Sequence, residues 1–241
     1  MTQLQLLTTT PPTPPENIQL HCCDIAELLA AGLPVPPRIV FADPPWQYAN
    51  KGDKTRSAAA HYSCLPMQSI VAHLRAAHDA AAHDAYLVLW ATFPLLAELM
   101  AAATEEAISW RYLTGGAWAK TGAPGAGYHW RGNAEPVLVF RKNKPKPVTT
   151  ELLRSTHVTE QHRGRARSGD ALSHSEKPLS WQRNMIRVWS HPGDTVLDLY
   201  AGLGSVARAT RAESRLYVGA ELCPERHRQA LDRLALQHIE D

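Results

Sequence analysis

Between Thr195 and Glu221 the chain leaves little choice of fold. Thr195–Tyr200 is an apolar strand, Ala201-Gly202-Leu203-Gly204-Ser205 is a glycine turn opening a helix over 204–213, and 215–222 is a second strand closing on Gly219-Ala220-Glu221. Strand, tight turn, helix and strand in that order make a βαβ unit, which stacks into a mostly parallel sheet with helices on both faces. Gly202 and Gly204 permit tight dihedrals and leave no Cβ where a ligand must approach the backbone. An acid about 20 residues beyond such a turn can bind both hydroxyls of a ribose. The third glycine of a G-x-G-x-x-G loop is replaced by Ala207. That replacement is tolerated in nicotinamide-binding folds, so the loop alone leaves the cofactor open.

The second constraint is Ile39-Val40-Phe41-Ala42-Asp43-Pro44-Pro45-Trp46. The apolar run reads as a buried strand. Two prolines then end it, because neither can continue a ladder and each restricts the residue before it to extended geometry. The strand therefore presents a carboxylate, proline carbonyls and a large aromatic side chain at its C-terminal end, the edge where open α/β sheets bind ligands. Asp43 and the Pro44 carbonyl can each accept a hydrogen bond from a planar NH₂ group, and Trp46 or Tyr48 can stack on the ring that carries it. The competing reading is a strand and proline turn with the tryptophan in the core.

The remaining segments extend the same pattern. Strands are predicted at Ile18–His21, Ala85–Ala91, Trp110–Lys120 and Val137–Arg141, and helices at Pro66–Ala82, Pro94–Glu106, Pro178–Ser190 and Pro224–His238. Asp24 is placed to cap a first helix. Ala85–Ala91 is almost wholly apolar, as a central strand buried on both faces must be. Strand, glycine-rich loop and strand over 110–141 predicts an antiparallel hairpin at one sheet edge. We expect one domain over 17–241 behind a proline-rich leader, 1–16.

Together these stretches resemble a family. Asp-Pro-Pro-Trp resembles the catalytic motif of the S-adenosylmethionine-dependent adenine-N6 methyltransferases, the group shared by messenger-RNA adenine methyltransferases and their bacterial and phage relatives. Asp-x-aromatic-x-Gly-x-Gly at 198–204 is similar to the cofactor motif of methyltransferases, and a catalytic motif ahead of the cofactor loop matches the permuted β group. His174-Ser175-Glu176-Lys177-Pro178 resembles the family's Ser-x-Lys-Pro segment, and 125–135 its glycine-rich Arg-x-x-x-Glu loop. The resemblance covers residues 18–235. It implies a Rossmann-like methyltransferase fold, catalysis by Asp43, Pro44, Pro45 and Trp46, and a cofactor site of Asp198, Tyr200, Gly202, Gly204, Ser205 and Glu221, with Lys177 near the cofactor carboxylate. It also implies substrate contacts from Tyr48, Tyr128, Arg131, Asn133 and Glu135. No added domain like the large target-recognition domains of many restriction-type methyltransferases is expected within these residues.

Charge is informative only locally. The chain of 241 residues carries +2 overall, but 141–176 holds eight basic and four acidic residues. That excess reads as a phosphate-contacting insertion, with Arg163, Arg165 and Arg167 at its centre; a solvated linker is the plainer reading. No C-x-x-C pair occurs, and His73, His78 and His83 step about 500° apart on a helix, which scatters them. No metal, no membrane span, a cytoplasmic setting and a nucleic-acid partner are the expectations, with a homodimer possible. The reaction expected is methyl transfer to adenine N6 of DNA after base flipping. Cytosine N4, RNA, or a non-catalytic nucleotide-binding subunit of the same fold stay open.

Overall fold

The computed structural model describes residues 15–47, 64–121, 132–149, 157–161 and 176–236. Tyr48, Tyr128, Arg131, Arg163, Arg165 and Arg167 lie outside them.

Among the described residues eight strands form one sheet. They are β1 (Ile18–His21), β2 (Ile39–Ala42), β3 (Ala85–Trp90), β4 (Arg111–Thr121), β5 (Ala134–Lys142), β6 (His157–Gln161), β7 (Thr195–Asp198) and β8 (Leu216–Ala220), in the order β1-β8-β7-β2-β3-β5-β4-β6. β5 pairs antiparallel with both β3 and β4, while every other pairing is parallel, so β5 alone runs against the rest. The fold is the expected mostly parallel, Rossmann-like α/β sheet. One detail differs: the hairpin β4–β5 does not form the edge, because β6 adds outside β4. That strand lies within 141–176, for which no strand was predicted.

The helices are α1 (Ile25–Ala31), α2 (Met67–Ala80), α3 (Leu96–Ala102), α4 (Glu105–Ile108), α5 (Leu179–Trp189), α6 (Ser205–Ala212) and α7 (Pro224–Leu236). The side-chain alternation of the strands sorts the core into two layers. On one face Val40, Leu87, Leu89 and Leu197 pack with Ile70 and Leu74 of α2. On the other Ile39, Phe41, Tyr86, Val88 and Val196 pack with Met185 and Ile186 of α5 and Val206 of α6. All six residues of β3 are buried, as a strand covered on both faces requires. The helix expected over 94–106 is broken into a 3₁₀ turn at Phe93–Leu95, α3 and α4. Thr104 starts α4 by accepting a hydrogen bond from the Ala107 N–H, a choice that competes with continuing α3.

The start of the basic segment is built into the fold. Arg141 and Lys142 belong to β5, and Lys142 Nζ donates to the carbonyls of His78 and Ala81 at the C-terminus of α2. A cation there satisfies terminal carbonyls and complements the helix dipole. Beyond it the Pro145 carbonyl accepts from Tyr86 Oη, and the Val148 N–H donates to the Val188 carbonyl. Residues 142–148 are therefore tied to the domain, not projected from it.

Candidate active site

A cavity of about 480 Å³ opens at the C-terminal edge of the parallel strands. It lies within the size range of small-molecule sites. Segments following β1, β2, β3, β7 and β8 all reach it. Because β5 is reversed, its first residues come to this same edge, and Glu135 enters the cavity wall.

One half of the cavity is made by the glycine turn. Gly202 and Gly204 have φ of 55° and 79°, the left-handed region that favours glycine. Their roles differ from the expected shared one. A Cβ on Gly202 would meet nothing within 4 Å, so this is the backbone a ligand can approach. A Cβ on Gly204 would lie 3.3 Å from Ala230 Cβ, so here the missing side chain serves the packing of α7 on the start of α6. Glu221 accepts from the Gly202 N–H through Oε2 and from the Cys223 N–H through Oε1, both at 2.8 Å. Each carboxylate oxygen has a second acceptor direction, so a vicinal diol can still bind. Ser205 also lines the cavity and accepts from Gln182 Nε2 at 3.2 Å.

Asp198 is 2% exposed. Its Oδ1 accepts from the Tyr200 N–H and its Oδ2 from Tyr217 Oη. Burial pushes this carboxyl up to about 7, against those two hydrogen bonds. These contacts fit Asp198 to holding the turn in place. The Tyr217 hydroxyl lies where a Cβ of residue 219 would stand, 2.2 Å away, which explains Gly219 in the middle of a strand. Tyr200 lines the cavity, with its hydroxyl 2.9 Å from His73 Nδ1. Burial raises the phenol, keeping it protonated, and lowers His73 against the opposing pull of Asp24.

The other half centres on Asp43, whose side chain is 35% exposed. Its Oδ2 accepts from Lys177 Nζ at 2.6 Å, and Lys177 Nζ also lies 3.2 Å from Glu135 Oε2. Glu135 Oε1 in turn accepts from Lys120 Nζ. Four charges thus alternate in sign from Asp43 to Lys120. Burial opposes the Lys177 charge, but Asp43 and Glu135 hold its ammonium well above the ordinary lysine range. For Glu135 burial is outweighed by the two lysines, which bring it below the usual carboxylate range. For Asp43 burial wins over Lys177 and the carboxyl is raised. Lys177 was expected near the cofactor carboxylate; its ammonium is found on the Asp43 side. The ring of Trp90 lies beneath it, 5.2 Å from Nζ to centroid, and packs edge-on to Trp118 and Trp181.

Pro44 and Pro45 line the cavity with Asp43, and the Pro45 carbonyl accepts from the Leu65 N–H. Trp46 touches the cavity but is only 6% exposed and packs in the core layer with α2. Its contacts therefore fit the plainer reading of a core tryptophan better than a stacking platform. Asn133 is exposed, and its carbonyl accepts from the Lys120 N–H at the open end of the β4–β5 ladder. It does not line the cavity.

Among the lining residues that sequence reasoning missed are Asp24, Gln182 and Leu222. Asp24 was seen only as the cap of α1, which it is, its Oδ1 accepting from the Ala26 N–H. It also stands at the mouth of the cavity beyond β1. Its signal was an acid closely following a short apolar strand, the same arrangement that marked Asp43. Gln182, 1% exposed, is a polar residue on the buried face of an amphipathic helix. Leu222 carries no chemical signal beyond following Glu221. Among the described residues no group of three or more potential ligands could hold a metal ion, and no helix is long and apolar enough to cross a membrane.

The sheet order and the cavity at its C-terminal edge define a Rossmann-like α/β fold of the methyltransferase type. Two solved structures share it. The M1.HpyAVI–SAM complex superposes with a TM-score of 0.66 at 15% identity, over 90% of this chain and 99% of that one. The PvuII DNA methyltransferase, cytosine-N4-specific, superposes at 0.69 and 14% identity, over 96% of each chain. At the level of sequence, the N6/N4 methyltransferase profile, described as DNA methylase, matches residues 38–232. The chain belongs to this DNA methylase family. The DNA adenine methyltransferase YhdJ of Escherichia coli (strain K12) is 29% identical over 104 residues, 43% of this chain. YubD of the same organism, whose name assigns it only to the methylases, is 38% identical over 68 residues, 28% of this chain. The matches span only 35% and 30% of the length of these two relatives.

Proposed function

We propose that this protein transfers a methyl group from S-adenosylmethionine to an exocyclic amine of a DNA base, adenine N6 first. The observation that carries the reading is one cavity holding both an open glycine cradle with Glu221 and the Asp43 carboxylate. Gly202 supplies backbone a cofactor can approach, and Glu221 has acceptor directions left for ribose hydroxyls. When bound, the cofactor supplies an electrophilic methyl on a sulfonium leaving group. The chain's own residues do the rest. An exocyclic amine is a weak nucleophile because its lone pair is delocalised into the ring. Hydrogen bonds from its NH₂ to Asp43 and the Pro44 carbonyl favour a more pyramidal nitrogen and aim the lone pair. The nitrogen that takes the methyl would then give up one proton to solvent, which reaches the partly exposed Asp43 side chain. Most of the gain lies in positioning and in electrostatics arranged in advance. A paired base cannot reach such a cavity within the duplex, so the target flips out of the stack.

Cytosine N4 is the second reading, because the same amine chemistry serves both bases and a neighbour of the same fold is cytosine-N4-specific. The test is incubation with labelled S-adenosylmethionine and unmethylated DNA, with RNA in parallel, followed by nucleoside analysis. N6-methyldeoxyadenosine supports the reading, N4-methyldeoxycytidine replaces only the base, and label in RNA alone replaces the polymer. Cofactor binding with no labelled nucleoside in any arm would leave only a nucleotide-binding subunit.

A further inference from the structure

Lys177 makes a contact that the proposed reaction has so far not used. Its side chain is 6% exposed and its ammonium bridges two carboxylates from separate strand ends, Asp43 after β2 and Glu135 at the start of β5. Building on the amine-methylation reading, we propose that Lys177 is a positioning residue for the Asp43 carboxylate, with Glu135 as its counterweight, and not a ligand of the cofactor carboxylate. The geometry is specific. Lys177 holds Asp43 Oδ2 at 2.6 Å, which commits that oxygen to the ammonium and assigns the other, Oδ1, to the target amine in the proposed reading. Partial desolvation of the 35%-exposed Asp43 side chain works against its charged form, and a protonated carboxyl is a poor acceptor for an amine hydrogen.

The charged groups acting on Asp43 come from four elements. Lys177 ahead of α5 and Lys120 on β4 favour the carboxylate; Glu135 on β5 disfavours it. Asp198 at the end of β7 interacts with Asp43 as a like charge. Glu176, next to Lys177, is neutralised by Arg208 and Arg233 at 3.4 and 3.1 Å. The two bridge partners therefore act on Asp43 with opposite sign. Removing Lys177 raises the carboxyl further, and removing Glu135 lowers it.

The experiment is single-turnover methyl transfer at saturating cofactor across pH, with calorimetric cofactor titration and a melting curve for each variant. Lys177→Met is expected to move the acid limb of the rate up by about one pH unit or more, a tenfold loss or greater on that limb that is recovered at higher pH. Glu135→Gln is expected to move it down. Lys177→Arg, which keeps the charge, should hold the limb near its wild-type position even where the rate falls, and it tests the idea if Lys177→Met does not fold. Cofactor affinity should change little in any of them. A loss independent of pH, shifts of the same sign in Lys177→Met and Glu135→Gln, or a loss confined to cofactor affinity would overturn the positioning role while the methylation reading stands. A wild type that transfers no methyl group would overturn both.

Discussion

Gly202 and Gly204 are two residues apart and answer to different forces. Both occupy left-handed backbone, but only Gly202 faces open space. Gly202→Val is therefore expected to reduce S-adenosylmethionine affinity beyond any loss of stability, and Gly204→Val to fail chiefly by unseating α7. Calorimetry beside thermal melting separates the two. Glu221→Ala should weaken cofactor binding by about 1–3 kcal/mol in the same titrations. Asp43→Ala should keep most of the cofactor affinity and lose about 10²–10³-fold or more in single-turnover transfer; wild-type turnover in that variant ends the mechanism. Asp198 gives a stability prediction. Its carboxyl is raised to about 7, above the unfolded value of about 3.9. The folded state then holds a proton the unfolded state has released, so this group's contribution falls as pH rises between those values. Asp198→Asn should flatten that part of the stability curve, measured by denaturant titration from pH 4 to 8. At this scale the sequence displayed Asp43, Gly202 and Glu221, because each ends or follows a recognisable strand. It could not display the partner of Lys177, which lies 134 positions away in the chain.

The elements were legible wherever pattern and packing agree. All of β1, β2, β3, β7 and β8 were expected within a residue or two; β2, β3 and β7 are buried throughout and β8 from Tyr217 on, while edge strand β1 buries only Ile18. β6 was not legible. His-Val-Thr-Glu-Gln has no clear apolar alternation, and the strand exists because β4 offers it an unpaired edge. The Asp-Pro-Pro-Trp turn was legible as a strand end, but its tryptophan was read toward the ligand when most of it packs under α2. Trp46→Ala should consequently destabilise the fold by about 3–5 kcal/mol, with Trp46→Phe losing less, as read by urea unfolding. A large fall in base affinity with unchanged stability would restore the stacking role.

Across the whole molecule the proposed donor and acceptor sites come from opposite ends of the chain yet sit on adjoining strands. β2, which carries Asp43, pairs directly with β7, which carries the glycine turn, through Ile39–Val196, Val40–Leu197 and Phe41–Asp198, and the Leu199 N–H continues the contact to the Phe41 carbonyl. Neighbouring strands stand about 4.8 Å apart whatever their side chains. The separation between the end of β2 and the start of the glycine turn is therefore set by the main chain at the centre of the sheet. Other walls of the cavity come from elsewhere: the segment beyond β3, the reversed strand β5 and the approach to α5. In the proposed reaction those walls can change to admit a purine or a pyrimidine while the spacing of the two strand ends stays the same.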